Sequence, residues 1–81
     1  NIEDSGLDRR THALVRLAAL IALGAPSAAY CCQVEVAREA GASPEEVLGV
    51  LVAAGPLAGM PRVLSAAPEL MRALGVPGTA P

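Results

Sequence analysis

Ten residues in the middle of the chain, REAGASPEEV at positions 38–47, predict the end of one helix and the start of the next. Gly41 can adopt the left-handed conformation that often closes a helix. Ser43 is a typical N-cap residue, Pro44 suits the first helical position, and the Glu46 side chain can reach back to the Ser43 amide. The stretch therefore predicts two helices joined by a short turn.

Glycine and proline divide the rest of the chain into further helices, and no window shows the β-branched alternation that is typical of a strand. The predicted fold class is all-α, a small bundle of four main helices. Gly55-Pro56 is expected to kink the third, because a proline inside a helix cannot donate to the carbonyl four residues earlier. The first three predicted helices span 8–23, 26–40 and 44–58, and the fourth follows Gly59-Met60-Pro61 and ends at Gly75.

Length and composition predict one small domain. The chain has 81 residues, of which 53% are apolar but only 1% aromatic, so its core must be thin and closely packed. The predicted organisation is an N-terminal extension at 1–7, a helical domain at 8–75 and a C-terminal tail at 76–81. Six basic residues, all arginine, face eight acidic ones, and a net charge of −2 cannot supply the basic face that nucleic acids require.

The longest uncharged run, 17–34, is nearly long enough for a membrane span, but Gly24 and Pro26 interrupt it. We therefore expect no membrane partner. The two adjacent cysteines are too few for a disulfide framework, which favours a reducing, cytoplasmic setting.

The helices predicted at 8–23 and 44–58 are apolar around most of their circumference. A chain of this size has too few other helices to bury both of them fully. Large exposed apolar surfaces usually mark an interface. The sequence therefore predicts a homo-oligomer, with these two helices at the contact between copies.

Three stretches resemble the carboxymuconolactone decarboxylase family, which includes the alkylhydroperoxidase D-like proteins. They are LDRRT at 7–11, the helix that leads into 38–47, and AGMPR at 58–62. The resemblance implies an all-α, alkylhydroperoxidase D-like fold that assembles as trimers or hexamers.

The catalytic motif of the family is not matched. Peroxidatic members carry Cys-x-x-Cys-x-x-x-His on the second helix, with the His eight residues before the closing glycine. Counted back from Gly41, Gln33 stands at the His position, and Pro26 and Ala29 stand at the cysteine positions. Members with decarboxylase activity also keep a His, so the resemblance implies no thiol peroxidase centre and leaves the reaction unassigned.

Two functions remain open at this point. One is a lyase or small-molecule-binding protein with a pocket between subunits, and the other is a non-catalytic homo-oligomeric assembly module. The helical wheel of the second helix places four apolar residues inward with Gln33 among them, namely Ala29, Val36, Ala37 and Ala40. An amide on such a face is either satisfied by neighbouring backbone or orients a ligand.

The candidate pocket residues are Gln33, Tyr30, Cys32, His12 and Arg62. Each also has a structural interpretation: the thiol packs as a small apolar group, the tyrosine fills a gap, and the histidine and arginine are solvated. Arg62 could alternatively pair with a substrate carboxylate. One histidine and two cysteines outside the family register cannot form a metal site within one chain, so we expect neither a metal nor another cofactor.

Overall fold

The computed structural model describes residues 2–76 and contains five helices and no strand within that range. The predicted all-α class is therefore confirmed, with one short helix in addition to the four main ones. This extra helix lies in the stretch assigned to the N-terminal extension. Residues 77–81 of the predicted tail lie outside the described residues. The helices are α1 (Ile2–Ser5), α2 (Arg9–Leu23), α3 (Ser27–Glu39), α4 (Pro44–Ala58) and α5 (Met60–Leu74).

The turn between α3 and α4 has the predicted geometry. Gly41 has a φ of 98°, in the left-handed region. The Glu46 amide donates to Ser43 Oγ at 3.1 Å, and the Ser43 amide donates to Glu46 Oε1 at 2.9 Å, which completes a capping box. These bonds satisfy amides that the first turn of α4 would otherwise leave unpaired.

Four helix boundaries differ from the prediction. Asp8 is the N-cap of α2, so that helix begins one residue later than predicted. Pro26 is extended and serves as the N-cap of α3, so the helix begins one residue later than predicted, and Ala40 is the C-cap rather than the last helical residue. The last helix begins at Met60, which places Pro61 at its second position, where the missing amide hydrogen costs no helical bond. Helix α4 continues past Pro56 to Ala58.

Helix α2 packs against α3, α4 and α5 and forms the centre of the bundle. Its buried residues, Ala13, Leu17 and Ile21, are spaced four apart and so share one face. Small side chains let the helices approach closely, which is how a core with a single aromatic residue fills its volume. The largest fully buried side chains are Tyr30, Leu17, Ile21, Leu70, Val34 and Val47.

The predicted inward face of α3 was wrong in part. Val36 is 50% exposed, whereas Tyr30, Val34 and Ala37 are buried. Val34 and Val36 lie on opposite sides of the charged Glu35 on the helical wheel, so either one could face inward. Burial of the large Tyr30 ring brings Val34, one turn later on the same face, into the core. Gln33 consequently lies half-buried at the margin of the inner face.

The two helices predicted to be apolar all round do expose much apolar surface. Val47 is the only fully buried residue of α4, and Val52 and Leu57 on the same helix are 76% and 92% exposed. Leu23 at the end of α2 is 75% exposed. Among residues 2–76, no helix combines the length and the apolar character that a membrane span requires.

Candidate functional site

An open apolar groove of about 550 Å³ runs between α2 and α4. Alanines on the facing sides of both helices leave this space, because their side chains are too short to fill it. Leucine and valine side chains form the walls. The groove is lined by Arg10, Thr11, Leu14, Val15, Ala18, Ala19 and Ala22 from α2, and by Val50, Ala53, Ala54 and Leu57 from α4.

The polar end of the groove lies at the first turn of α2, where Arg10 and Thr11 contribute its only polar side chains. Arg10 Nη1 donates to Glu46 Oε2 in an ion pair that links the starts of α2 and α4. The Arg10 and Glu46 side chains are 44% and 39% exposed. The hydrogen bond from the Ser43 backbone and the nearby Arg10 guanidinium lower the pKa of Glu46.

The start of α2 is further ordered by Asp8, its N-cap. Asp8 Oδ1 accepts a hydrogen bond from the Thr11 amide at 2.7 Å. Hydrogen bonds from Thr11 lower the pKa of the Asp8 carboxyl. The polar end of the groove is therefore built on a capped helix start, which holds Arg10 and Thr11 in place.

The side chains of this groove are suited to holding a ligand. Its walls are aliphatic, which suits the apolar body of a ligand. The Arg10 guanidinium supplies hydrogen-bond donors and a positive charge. The lining contains no histidine, cysteine or carboxylate, so one chain supplies no general base to the groove.

Two of the candidate residues predicted from sequence make hydrogen bonds to the backbone of α2. Gln33 Nε2 donates to the Ala13 carbonyl at 3.1 Å. The Tyr30 hydroxyl donates to the Leu20 carbonyl at 3.2 Å, and its ring is 2% exposed in the core. Burial raises the pKa of Tyr30. Both side chains are therefore engaged with backbone carbonyls of α2.

The other three candidates lie in separate places. Cys32 is exposed on α3. His12 is half-buried and lines a depression of about 130 Å³ with Glu39. Arg62 is exposed at the start of α5, with its guanidinium beside Gly24 at the end of α2. None of the five candidates lines the groove between α2 and α4. Their sharing of a pocket between subunits stays a prediction.

Sequence reasoning missed Arg10 and Thr11 as groove residues. The signal lay in the alanines, which the wheel analysis treated only as apolar surface. Ala18 and Ala22 are four apart on α2, and Ala53 and Ala54 belong to the helix that faces them. Two facing stripes of small residues are compatible either with close helix contact or with a groove, and only the packing distinguishes these outcomes.

Titratable side chains are dispersed in the described part of the chain. Within residues 2–76, no three His, Cys, Asp or Glu side chains come close enough together to hold a metal ion. Cys31 and Cys32 are both free thiols at the surface of α3.

Comparison with known proteins identifies the family. No curated protein and no solved structure matches the chain. The model of the carboxymuconolactone decarboxylase family matches residues 1–72, which include all the residues that line the groove and most of α5. The chain therefore belongs to the carboxymuconolactone decarboxylase family.

Proposed function

We propose that this protein is a homo-oligomer that binds a small molecule in a pocket between subunits and has no thiol peroxidase centre. The groove between α2 and α4 carries this proposal. Its volume of about 550 Å³ is within the range of ligand pockets in proteins. The groove is open to solvent on one side, so a second copy of the chain would have to close it.

Exposed apolar side chains support the self-association. Leu57 and Val52 on α4 and Leu23 on α2 are each at least three-quarters exposed in the single chain. A soluble protein rarely leaves so many large aliphatic side chains in water on neighbouring helices. A trimer or a hexamer is the assembly that the family resemblance implies.

Binding is better supported than turnover. A lyase reaction needs a group that transfers a proton, and the groove of one chain offers only Arg10 and Thr11 as polar side chains. A second copy would have to supply the acid or base. Gln33, which stands at the family's histidine position, has no titrating group near neutral pH and donates to Ala13.

The second candidate function is a non-catalytic assembly module. It is favoured by the hydrogen bonds of Gln33 and Tyr30, because the two polar side chains on the inner side of α3 are already engaged with backbone carbonyls. In this alternative the apolar surface of α2 and α4 serves only to join copies.

The arrangement of the thiols supports the absence of a peroxidase centre. Peroxide reduction by a dithiol needs an activated thiolate and a second cysteine within disulfide distance. Cys31 and Cys32 are consecutive on a helix, so their side chains point about 100° apart. We expect hydroperoxide consumption no faster than that of a free thiol, and little change when both cysteines are replaced by serine.

The net charge and the exposed thiols bear on the other partners and on the location of the protein in the cell. A net charge of −2 argues against nucleic acid as a partner, and the proposal includes no membrane partner. Two exposed free thiols fit a reducing compartment, so we place the protein in the cytoplasm.

Three measurements on the purified protein test the proposal. Light scattering should give a mass of at least a dimer, and a folded monomer at micromolar concentration would contradict it. A screen of ring-lactone carboxylates and hydroperoxides should detect any turnover, while calorimetry detects saturable binding. Binding without turnover supports the proposed function, and turnover of a lactone supports its lyase form. If the oligomer is intact but shows no binding and no turnover, the assembly module is supported. Cysteine-dependent, saturable peroxide consumption would show that a thiol centre is present.

A further inference from the structure

We propose that the groove between α2 and α4 binds an amphipathic carboxylate, with the alkyl chain along the groove and the carboxylate at Arg10. This inference rests on the proposed function, since it names the ligand class for that pocket. It is carried by the shape of the groove, the aliphatic character of its walls and the position of its single charged side chain.

The shape of the groove suits an extended chain. Its lining residues on α2 run from Arg10 to Ala22, a length of about 18 Å at the usual rise of an α-helix. Alanines form much of the lining along this length, and Leu14 and Leu57 border it. An alkyl chain fills such a space with apolar contacts along its length and leaves no polar atom of its own unpaired.

Charge sets the orientation of the ligand. Arg10 is the only charged residue that lines the groove, and it lies at one end. A guanidinium carries five donors, and the structure shows only Nη1 engaged with Glu46. Because both partners of that ion pair are about 40% exposed, the pair is weak and can admit a second carboxylate. A carboxylate can share the free donors of the guanidinium, whereas a cationic or neutral head group would gain less there.

A second copy of the chain is the competing occupant. A helix from a second copy could fill the apolar length of the groove, but it would also have to bring a carboxylate to Arg10. An amphipathic carboxylate provides an apolar body for the aliphatic length of the groove and a negative charge for the end at Arg10. A second copy lying over the open side would act as a roof above the bound chain.

The probe is dodecanoate, titrated into the intact oligomer by calorimetry below the concentration at which it forms micelles. We expect saturable binding that is tighter than that of dodecanol or dodecyltrimethylammonium. Ala53→Leu places a larger side chain in the groove and should weaken dodecanoate binding about tenfold or more. Ala28→Leu, at an exposed alanine of α3, is the matched control and should leave binding unchanged.

The head-group contact is tested separately. Arg10→Gln should weaken dodecanoate binding about threefold to fivefold and leave dodecanol binding unchanged, because only the carboxylate uses the charge. Arg16→Gln, at an exposed arginine outside the groove, is its control. Light scattering on every variant checks that the assembly is intact.

Several results would overturn the inference. One is the absence of dodecanoate binding to the intact oligomer, and another is binding that Ala53→Leu leaves unchanged. An equal loss of dodecanoate and dodecanol binding in Arg10→Gln would refute the role of charge. If Ala53→Leu dissociates the oligomer and the original protein binds no dodecanoate, a second copy fills the groove. If another small molecule binds and Ala53→Leu abolishes that binding while dodecanoate fails, the ligand class is wrong but the proposed function stands.

Discussion

Tyr30 is the only aromatic residue of the chain, and it lies with Gln33 on the side of α3 that faces α2. Each side chain donates one hydrogen bond to a carbonyl of α2, to Leu20 and Ala13 respectively. The two carbonyls are seven residues apart, so the contacts hold α3 against α2 at two points along its length. Each bond contributes about 1 kcal/mol in net stability.

Ionisation of Tyr30 provides a test of this arrangement. Burial raises its pKa above the ordinary value of 10.0, so the folded state favours the protonated phenol. Its contribution to stability is therefore fully present below pH 10.0 and is lost as the pH rises through the folded-state pKa. A titration followed by tyrosinate absorbance should give a midpoint above that of the same chain in denaturant. Coincident midpoints would mean that the ring is solvated.

The C-terminal end of α2 lies against a side chain from the neighbouring helix α5. Gly24 ends α2 with a φ of 71°, and the Arg62 guanidinium from α5 lies directly over it. A Cβ at position 24 would lie 2.5 Å from Arg62 Nη1. A cation at the C-terminus of a helix also interacts favourably with the helix dipole. The Arg62 guanidinium thus packs against the end of α2.

Replacing Gly24 with alanine should destabilise the protein more than the same change at Gly75. Gly75 has a φ of 74° with no atom within 4 Å of its would-be Cβ, so Gly75→Ala reports the backbone strain alone, about 1–2 kcal/mol. Gly24→Ala adds the displacement of Arg62. Chemical unfolding at one fixed protein concentration measures both, and the difference should vanish in an Arg62→Ala background. A difference that survives there would assign the extra cost to another contact.

The capping box at the start of α4 predicts a sensitivity to acid. The Ser43 amide and Arg10 lower the pKa of Glu46 from its ordinary value of 4.5. The stabilisation is therefore present above pH 4.5 and is lost as the pH falls through the lower, folded-state value. Glu46→Gln should make stability depend less on pH in this window, as measured by denaturant unfolding at several pH values. Glu45→Gln, outside the capping box, is the matched control for loss of one carboxylate at the start of α4.

At the scale of the whole molecule, the bundle buries its core but leaves α4 incompletely covered. The cluster of buried residues includes side chains from all four main helices, and α4 contributes only Val47 among the fully buried ones. The rest of α4 is apolar from Val47 to Ala58, with Leu57 almost fully exposed. This exposed surface of α4 can line the ligand groove, contact a second copy of the chain, or do both.

If copies of the chain associate as proposed above, Leu57→Asp should reduce the mass measured by light scattering. A charge at this position would have to be buried at an apolar interface, which costs several kcal/mol unless the copies separate. Val36→Asp, at a half-exposed valine of α3, is the control and should leave the mass unchanged. An unchanged mass in Leu57→Asp would place the interface away from the end of α4.

Residue types alone were enough to predict the four main helices, to within a few residues at their ends, and the turn at 38–47. These features depend on interactions within about four residues, such as the capping box of Ser43 and Glu46 and the left-handed Gly41. The family resemblance was likewise recognisable from three short stretches of sequence. The groove and the inner face of α3 depend instead on how the helices pack against one another. A chain rich in alanine, leucine and valine offers several apolar faces on each helix, so the choice between Val34 and Val36 depends on where Tyr30 packs. Whether facing alanines touch or leave a groove likewise depends on the distance between α2 and α4, which side chains elsewhere in the core set.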